Sequence, residues 1–324
     1  MSFDVILPFL RPIATYILDP DVTEVMVNGS GRVFVEKDGQ VDLVQGVTVS
    51  ERNLQVAVRN IARALGDDIG EDKPILDSRL PDGSRVAAVI PPCSLDGTTL
   101  TIRKFHSHLF TVDELVRLGT LTPTVADLLL HAMATQQNIL ISGGTGTGKT
   151  TLLNALARRL PDTARIVTIE DTAELQLDKP NLVRLEARRA HPDLSAVTIR
   201  DLLRATLRHR PDRIILGEVR GGEAFDLLQA LNTGHAGSLS TIHASSAAQA
   251  LTRFTSCVLQ SGVELPYPAI RHSIAECLHL VVHIERERHR RVVTELVRLK
   301  GYDVAADRFD LQSLDSRLTG GLLR

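Results

Sequence analysis

The chain has 324 residues, of which 43% are hydrophobic and 23% charged, a globular composition that excludes a disordered or fibrous chain. Its 37 Lys and Arg against 39 Asp and Glu give a net charge of -2, so no global positive field favours nucleic acid or an anionic membrane. With no Trp and only 3% aromatics, the stacking platforms of a nucleic-acid channel are absent too, and no direct nucleic-acid binding is expected.

The first apolar stretch, FDVILPFLRPIATYIL, carries Asp4, lacks a basic start and is broken by Arg11 and two prolines. It reads as neither signal peptide nor membrane span, so any membrane association is expected to be peripheral. VTEVMVN and GRVFVEKDG alternate apolar and polar residues around Asn28 to Gly31, a hairpin signal. Ser50 caps a helix that places Leu54, Val58, Ile61 and Leu65 on one face. DSRLPDGSRVAAVIPP and TLTIRKF supply further strands joined by Pro- and Gly-rich turns. Residues 1–105 therefore read as a smaller α+β N-terminal domain, and 106–119 as a linker able to absorb hinge motion.

From Leu121 onward, helices and strands alternate: NILIS, RIVTIED, RIILGEV and LSTIHA each follow a helical segment. The alternation predicts an α/β domain with a mainly parallel sheet over 120–324. The tail run ERERHRR reads as a solvated turn, as do Arg188 and Arg189.

GGTGTGKT follows the first of these strands and opens a helix, which is the P-loop arrangement. Gly143, Gly144, Thr145, Gly146, Thr147 and Gly148 let successive N–H groups face phosphate oxygens at a helix N-terminus. Lys149 supplies a point charge between the β- and γ-phosphates, Thr150 a hydroxyl for Mg2+, and Thr151 continues the binding turn. ATP and Mg2+ are the expected ligands, on a RecA-like P-loop fold.

RIILGEVRGG presents a puzzle, because Gly217 stands where such strands usually end in a metal-holding Asp. Glu218 follows, placed to polarise an attacking water. The metal's carboxylates must then come from elsewhere: Glu170 and Asp171, acting through water at the end of RIVTIED, or Glu174 beyond. Helix capping by Glu170 and Asp171 is the competing reading. His235 and His243 lie eight positions apart without Cys or carboxylate neighbours in sequence, so a hydrogen-bonding role is preferred to metal binding.

Together, IEDTAEL, RPDRIILGEVRGGEAFDLLQALNTGH and GSLSTIHA downstream of the P-loop resemble the secretion ATPase superfamily of type II secretion, type IV pili, and type IV secretion or conjugation. The resemblance implies a two-domain subunit of a homo-hexamer on the cytoplasmic side of the inner membrane, working with secretion or conjugation components. It maps the family's catalytic Glu onto Glu218, its Asp-box acid onto Glu170 and its second histidine onto His243. It also implies phosphate-reaching arginines at Arg85, Arg103 and Arg220. The type II branch usually carries a four-cysteine zinc insertion, whereas this chain has only Cys93, Cys257 and Cys277. The reading therefore leans to conjugation and type IV secretion over a pilus motor. A RecA-like DNA translocase and a slow nucleotide switch are the alternatives of a different class.

Overall fold

The computed structural model describes residues 6–37, 39–105, 109–188, 190, 194–288 and 290–315. Backbone contacts separate two compact units, Met1–His108 and Leu109–Arg324.

The first unit begins with two short turns of 3-10 helix that run into α1 (Ala14–Leu18). The predicted hairpin is β1 (Val22–Val27) with β2 (Arg32–Lys37), and β3 (Gln40–Thr48) extends it. Helix α2 (Glu51–Ala64) starts at Ser50, whose hydroxyl accepts from the Asn53 N–H, and it buries Leu54, Val58 and Ile61. The Pro- and Gly-rich segment makes a second hairpin, β4 (Ile75–Arg79) with β5 (Arg85–Val89), and β6 (Thr99–Arg103) follows. Strand β6 inserts between the two hairpins, giving the antiparallel order β3-β2-β1-β6-β5-β4. One sheet face covers α2 through Val25, Val27, Val86, Leu100 and Ile102. Outward residues alternate along the same strands, as one-sided burial of an antiparallel sheet requires.

In the second unit, Val112–Arg117 of the expected linker form helix α3. Thr111 and Glu114 close a capping box there, while Val112 and Leu115 bury with this unit's core. The order continues with α4 (Pro123–Ala134), β7 (Ile139–Gly143), α5 (Lys149–Ala157), β8 (Ile166–Glu170), β9 (Leu182–Glu186), α6 (Ile199–Thr206) and β10 (Arg213–Val219). It ends with α7 (Glu223–Asn232), β11 (Leu239–His243), α8 (Ala247–Leu259), α9 (Tyr267–Cys277), β12 (Leu280–Glu287), β13 (Arg290–Asp303) and β14 (Arg308–Ser313).

The sheet order is β14-β13-β12-β7-β11-β10-β8-β9. Strands β12, β7, β11, β10, β8 and β9 run parallel, and β13 and β14 add antiparallel at one side. Two apolar clusters, one on each face, cover the parallel strands. Hence β7 and β8 are buried at every residue, and their sequences are nearly continuous apolar runs. This layering brings the C-terminal ends of β7, β11, β10 and β8 together, where doubly wound sheets bind ligands.

Candidate active site

The loop between β7 and α5 has the backbone of a phosphate cradle. Gly146 and Gly148 adopt φ of 70° and 95°, left-handed conformations that glycine reaches without strain. Gly148 is the N-cap of α5 and supplies no capping side chain, so the first-turn N–H groups have no side-chain acceptor there. Gly143 is fixed by crowding, since a Cβ there would lie 2.3 Å from the Ile284 carbonyl oxygen. Gly144, Thr145 and Gly146 are exposed, Thr147 is buried, and Thr150 and Thr151 are half-buried in the first turn of α5. An anion of phosphate chemistry fits this geometry.

Lys149 is buried, and its ammonium donates to the carbonyls of Gly143 (3.1 Å) and Gly144 (2.8 Å). Burial lowers its pKa from the ordinary value, partly opposed by Glu218. The His243 imidazole, at the end of β11 and in register with Gly143, lies 3.3 Å from Lys149 Nζ. Its Nε2, 3.4 Å from the same ammonium, lies 3.1 Å from Glu218 Oε1. Burial first, and then the charge of Lys149, depress the His243 pKa, so the ring is neutral at pH 7.

The Arg220 guanidinium donates to Glu218 Oε2 at 2.9 Å and to Asp171 Oδ2 at 3.0 Å. The ends of four neighbouring strands thus carry a ladder in which Lys149, Glu218, Arg220 and Asp171 alternate in sign, with neutral His243 between the first two. The predicted residues Lys149, His243, Glu218, Arg220 and Asp171 lie in one contiguous network.

Glu170 lies deeper, only 3% exposed at the end of β8. Its Oε1 accepts from the Glu174 and Leu175 N–H groups at 2.8 and 2.9 Å. Glu170 thus caps the segment that follows its strand, and that capping leaves its second oxygen for another role. Burial drives its pKa up to about 7, against the pull of the two N–H donors. Glu174 itself is exposed.

Gly217 is explained by this carboxylate. Leu216 pairs in register with Ile169, and a Cβ at 217 would stand 3.0 Å from Glu170 Cγ. The side-chain space beside β10 is filled from β8. Thr150, Glu170 and Asp171 offer oxygen donors only, the chemistry that suits a hard cation such as Mg2+.

Arg85 and Arg103 lie in the first unit, opposite each other across β5 and β6. Arg85 pairs with Asp77 at 3.3 Å, and Arg103 is exposed. His235 is half-buried, with Nδ1 3.1 Å from the Ala230 carbonyl oxygen. Among the described residues no group of three or more His, Cys, Asp or Glu could hold a metal. Arg188 pairs with Val197 in an isolated bridge, and its side chain is exposed; Arg189 lies outside the described residues.

Two features were not anticipated. Arg291, expected in a solvated turn, donates from Nε to the Gly146 carbonyl at 3.3 Å. Buried His283, on β12, sits with Nδ1 2.8 Å from the hydroxyl of Ser142, the residue before the P-loop, and Nε2 3.1 Å from Glu285. Arg291 lies in the ERERHRR run, whose charge alone gave no hint that it folds back on the loop, and His283 lies in the apolar stretch VVHI just before it.

Comparison with known proteins agrees with this geometry. Residues 10–306 match the family described as Type II/IV secretion system protein. The conjugal transfer protein TrbB of Rhizobium radiobacter is 37% identical over 288 residues, covering 88% of this chain and 85% of the relative. The type IV secretion system protein VirB11 of Bartonella henselae is 33% identical, covering 90% and 92%. In fold, the Legionella pneumophila ATPase DotB superposes with a TM-score of 0.65 at 20% identity, over 97% of this chain and 82% of that one. A P-loop on a parallel sheet, with a Gly-Glu strand end and a histidine-ended neighbour, is thus accompanied by similarity along most of the sequence: the chain belongs to the type II/IV secretion system protein family.

Proposed function

We propose that the chain is an ATPase that powers a type IV secretion or conjugative transfer apparatus, with Glu218 as the group that polarises the attacking water. The observation that carries the chemistry is the position of Glu218 between His243 and Arg220, near the end of β10 and separated from the P-loop strand by β11 alone. The P-loop amides and Lys149 hold the phosphates. Glu218, oriented from both sides, accepts the water's proton or aligns it for in-line attack. Arg220 then answers the charge that develops as the bond to the leaving group breaks. Mg2+ would be held by Thr150, with Glu170 and Asp171 acting through its waters, and it supplies neutralisation of the phosphate charge.

Arg85 and Arg103 are proposed to complete the phosphate site within a homo-hexamer. No helix among the described residues is long and apolar enough to cross a membrane. Association with inner-membrane secretion components from the cytoplasmic side would then be peripheral. Relatives named for conjugal transfer and type IV secretion favour this branch over a pilus motor.

The test is Glu218→Gln. The amide keeps the size of the side chain and an oxygen that can accept from Arg220, so ATP binding measured by titration calorimetry is retained. Phosphate release falls by roughly a hundred- to ten-thousand-fold. Hydrolysis within tenfold of the unsubstituted protein removes Glu218 from the role.

A further inference from the structure

The hairpin of β12 and β13 touches the P-loop at three levels. Beneath it, His283 bonds Ser142. Beside it, the Ile284 carbonyl occupies the space a Cβ of Gly143 would need. Above it, Arg291 bonds Gly146 through Nε, and its Cδ lies 3.0 Å from where a Cβ of Gly148 would stand. The first two contacts are buried and set the hairpin's register against β7, through β12 pairing parallel to that strand. The third reaches the only part of the loop that is exposed, the stretch Gly144 to Gly146.

From this we infer that Arg291 is a positioning residue for nucleotide binding, a brace that holds the P-loop in its binding conformation before nucleotide arrives. The inference rests on the ATPase reading above. The physical reason is that a loop with left-handed glycines at 146 and 148 has many alternative conformations. The N–H groups can face a phosphate only if the carbonyls turn outward, and Arg291 takes an outward carbonyl, that of Gly146. Without the brace, only a fraction of molecules hold the cradle, and the apparent dissociation constant rises by the inverse of that fraction. Once nucleotide is bound, the loop is held by the phosphates, and turnover is unaffected.

The experiment measures ATP and ADP binding by calorimetry, together with KM and kcat, for the full chain and for Arg291→Ala, Arg291→Lys and Arg290→Ala. Arg291→Ala should weaken both nucleotides and raise KM by about three- to tenfold, as expected for loss of one solvent-exposed hydrogen bond of ordinary strength, with kcat and the nucleotide-free unfolding midpoint unchanged. Arg291→Lys, which keeps a donor on a similar stem, should fall between. Arg290→Ala, a neighbouring exposed cation of the same hairpin, should bind as the unsubstituted protein does. Equal weakening by Arg290→Ala would show a general field and overturn the inference, as would Arg291→Ala binding unchanged or a fall in kcat alone. Absence of ATP binding by the unsubstituted chain would instead overturn the ATPase reading itself.

Discussion

Glu170 offers a test of the buried network that needs no nucleotide. Its carboxyl has an ordinary pKa of 4.5 and one of about 7 in the fold, where burial outweighs two N–H donors. Between those values the native protein binds a proton that the unfolded chain has lost. Stability therefore falls as pH rises through this window, and the penalty is complete above about pH 7. At about 1.4 kcal/mol per pH unit, the full penalty is on the order of 3 kcal/mol. Glu170→Gln keeps the size and the carbonyl acceptor for Glu174 and Leu175 but cannot ionise. Urea unfolding followed by circular dichroism in metal-free buffer, at intervals from pH 5 to pH 8, compares the two proteins. The difference cancels every other titrating group. Glu170→Gln should gain on the unsubstituted protein as pH rises, by about 3 kcal/mol across the range. Parallel stability curves would refute the reasoning, because they would mean the two N–H donors hold the buried carboxyl ionised throughout.

Gly217→Ala places a methyl group 3.0 Å from Glu170 Cγ, whose side chain cannot swing away without losing its backbone donors. Overpacking of about 1–3 kcal/mol, less about 0.5–1 kcal/mol from removing a strand glycine, leaves a net loss of up to about 2.5 kcal/mol by urea denaturation. A stabilised variant would contradict the interlock. Arg103→Ala relieves the opposition to Arg85 but also removes the cation opposite Glu24 on β1, so the thermal midpoint should change little. Its phosphate release should drop at least about tenfold if it completes the phosphate site, and undiminished release would count against that role.

Much of the fold was legible locally. The Asn28 to Gly31 turn, the Ser50 cap and the P-loop each have a short-range cause: a hairpin needs a tight turn, a helix needs an acceptor for its first N–H groups, and a phosphate needs backbone donors. The neighbours of β7 were less accessible. Strand β12 comes last of the parallel strands in the chain yet lies directly beside the P-loop strand, and β13 and β14 then extend the sheet outward. Such placement is decided by which faces of many elements remain to be covered, and no window of sequence contains that information. Arg291 and His283 were missed for this reason. A charged run such as that of Arg291 looks solvated whether it ends in water or folds back over a glycine loop, and a lone histidine in an apolar strand such as His283 does not name its partner.

The exchange between Gly217 and Glu170 has the same origin. Along β10 alone, a glycine before Glu218 reads as a missing metal ligand, and the shortlist Glu170, Asp171 and Glu174 follows from asking which other strand end holds carboxylates. Register separates the three. Ile169 pairs with Leu216, so the next residue of β8 projects beside Gly217, and Glu170 is the acid that fills the space the glycine leaves. Asp171 is already turned outward to Arg220, and Glu174 contributes its N–H rather than its carboxylate. The residue at 217 must be small because the acid at 170 is large. Substituting Asp at 217 to restore the more usual strand ending should therefore oppose two carboxylates across about the width of one side chain. Unless Glu170 stays protonated, that costs more than the methyl group of Gly217→Ala.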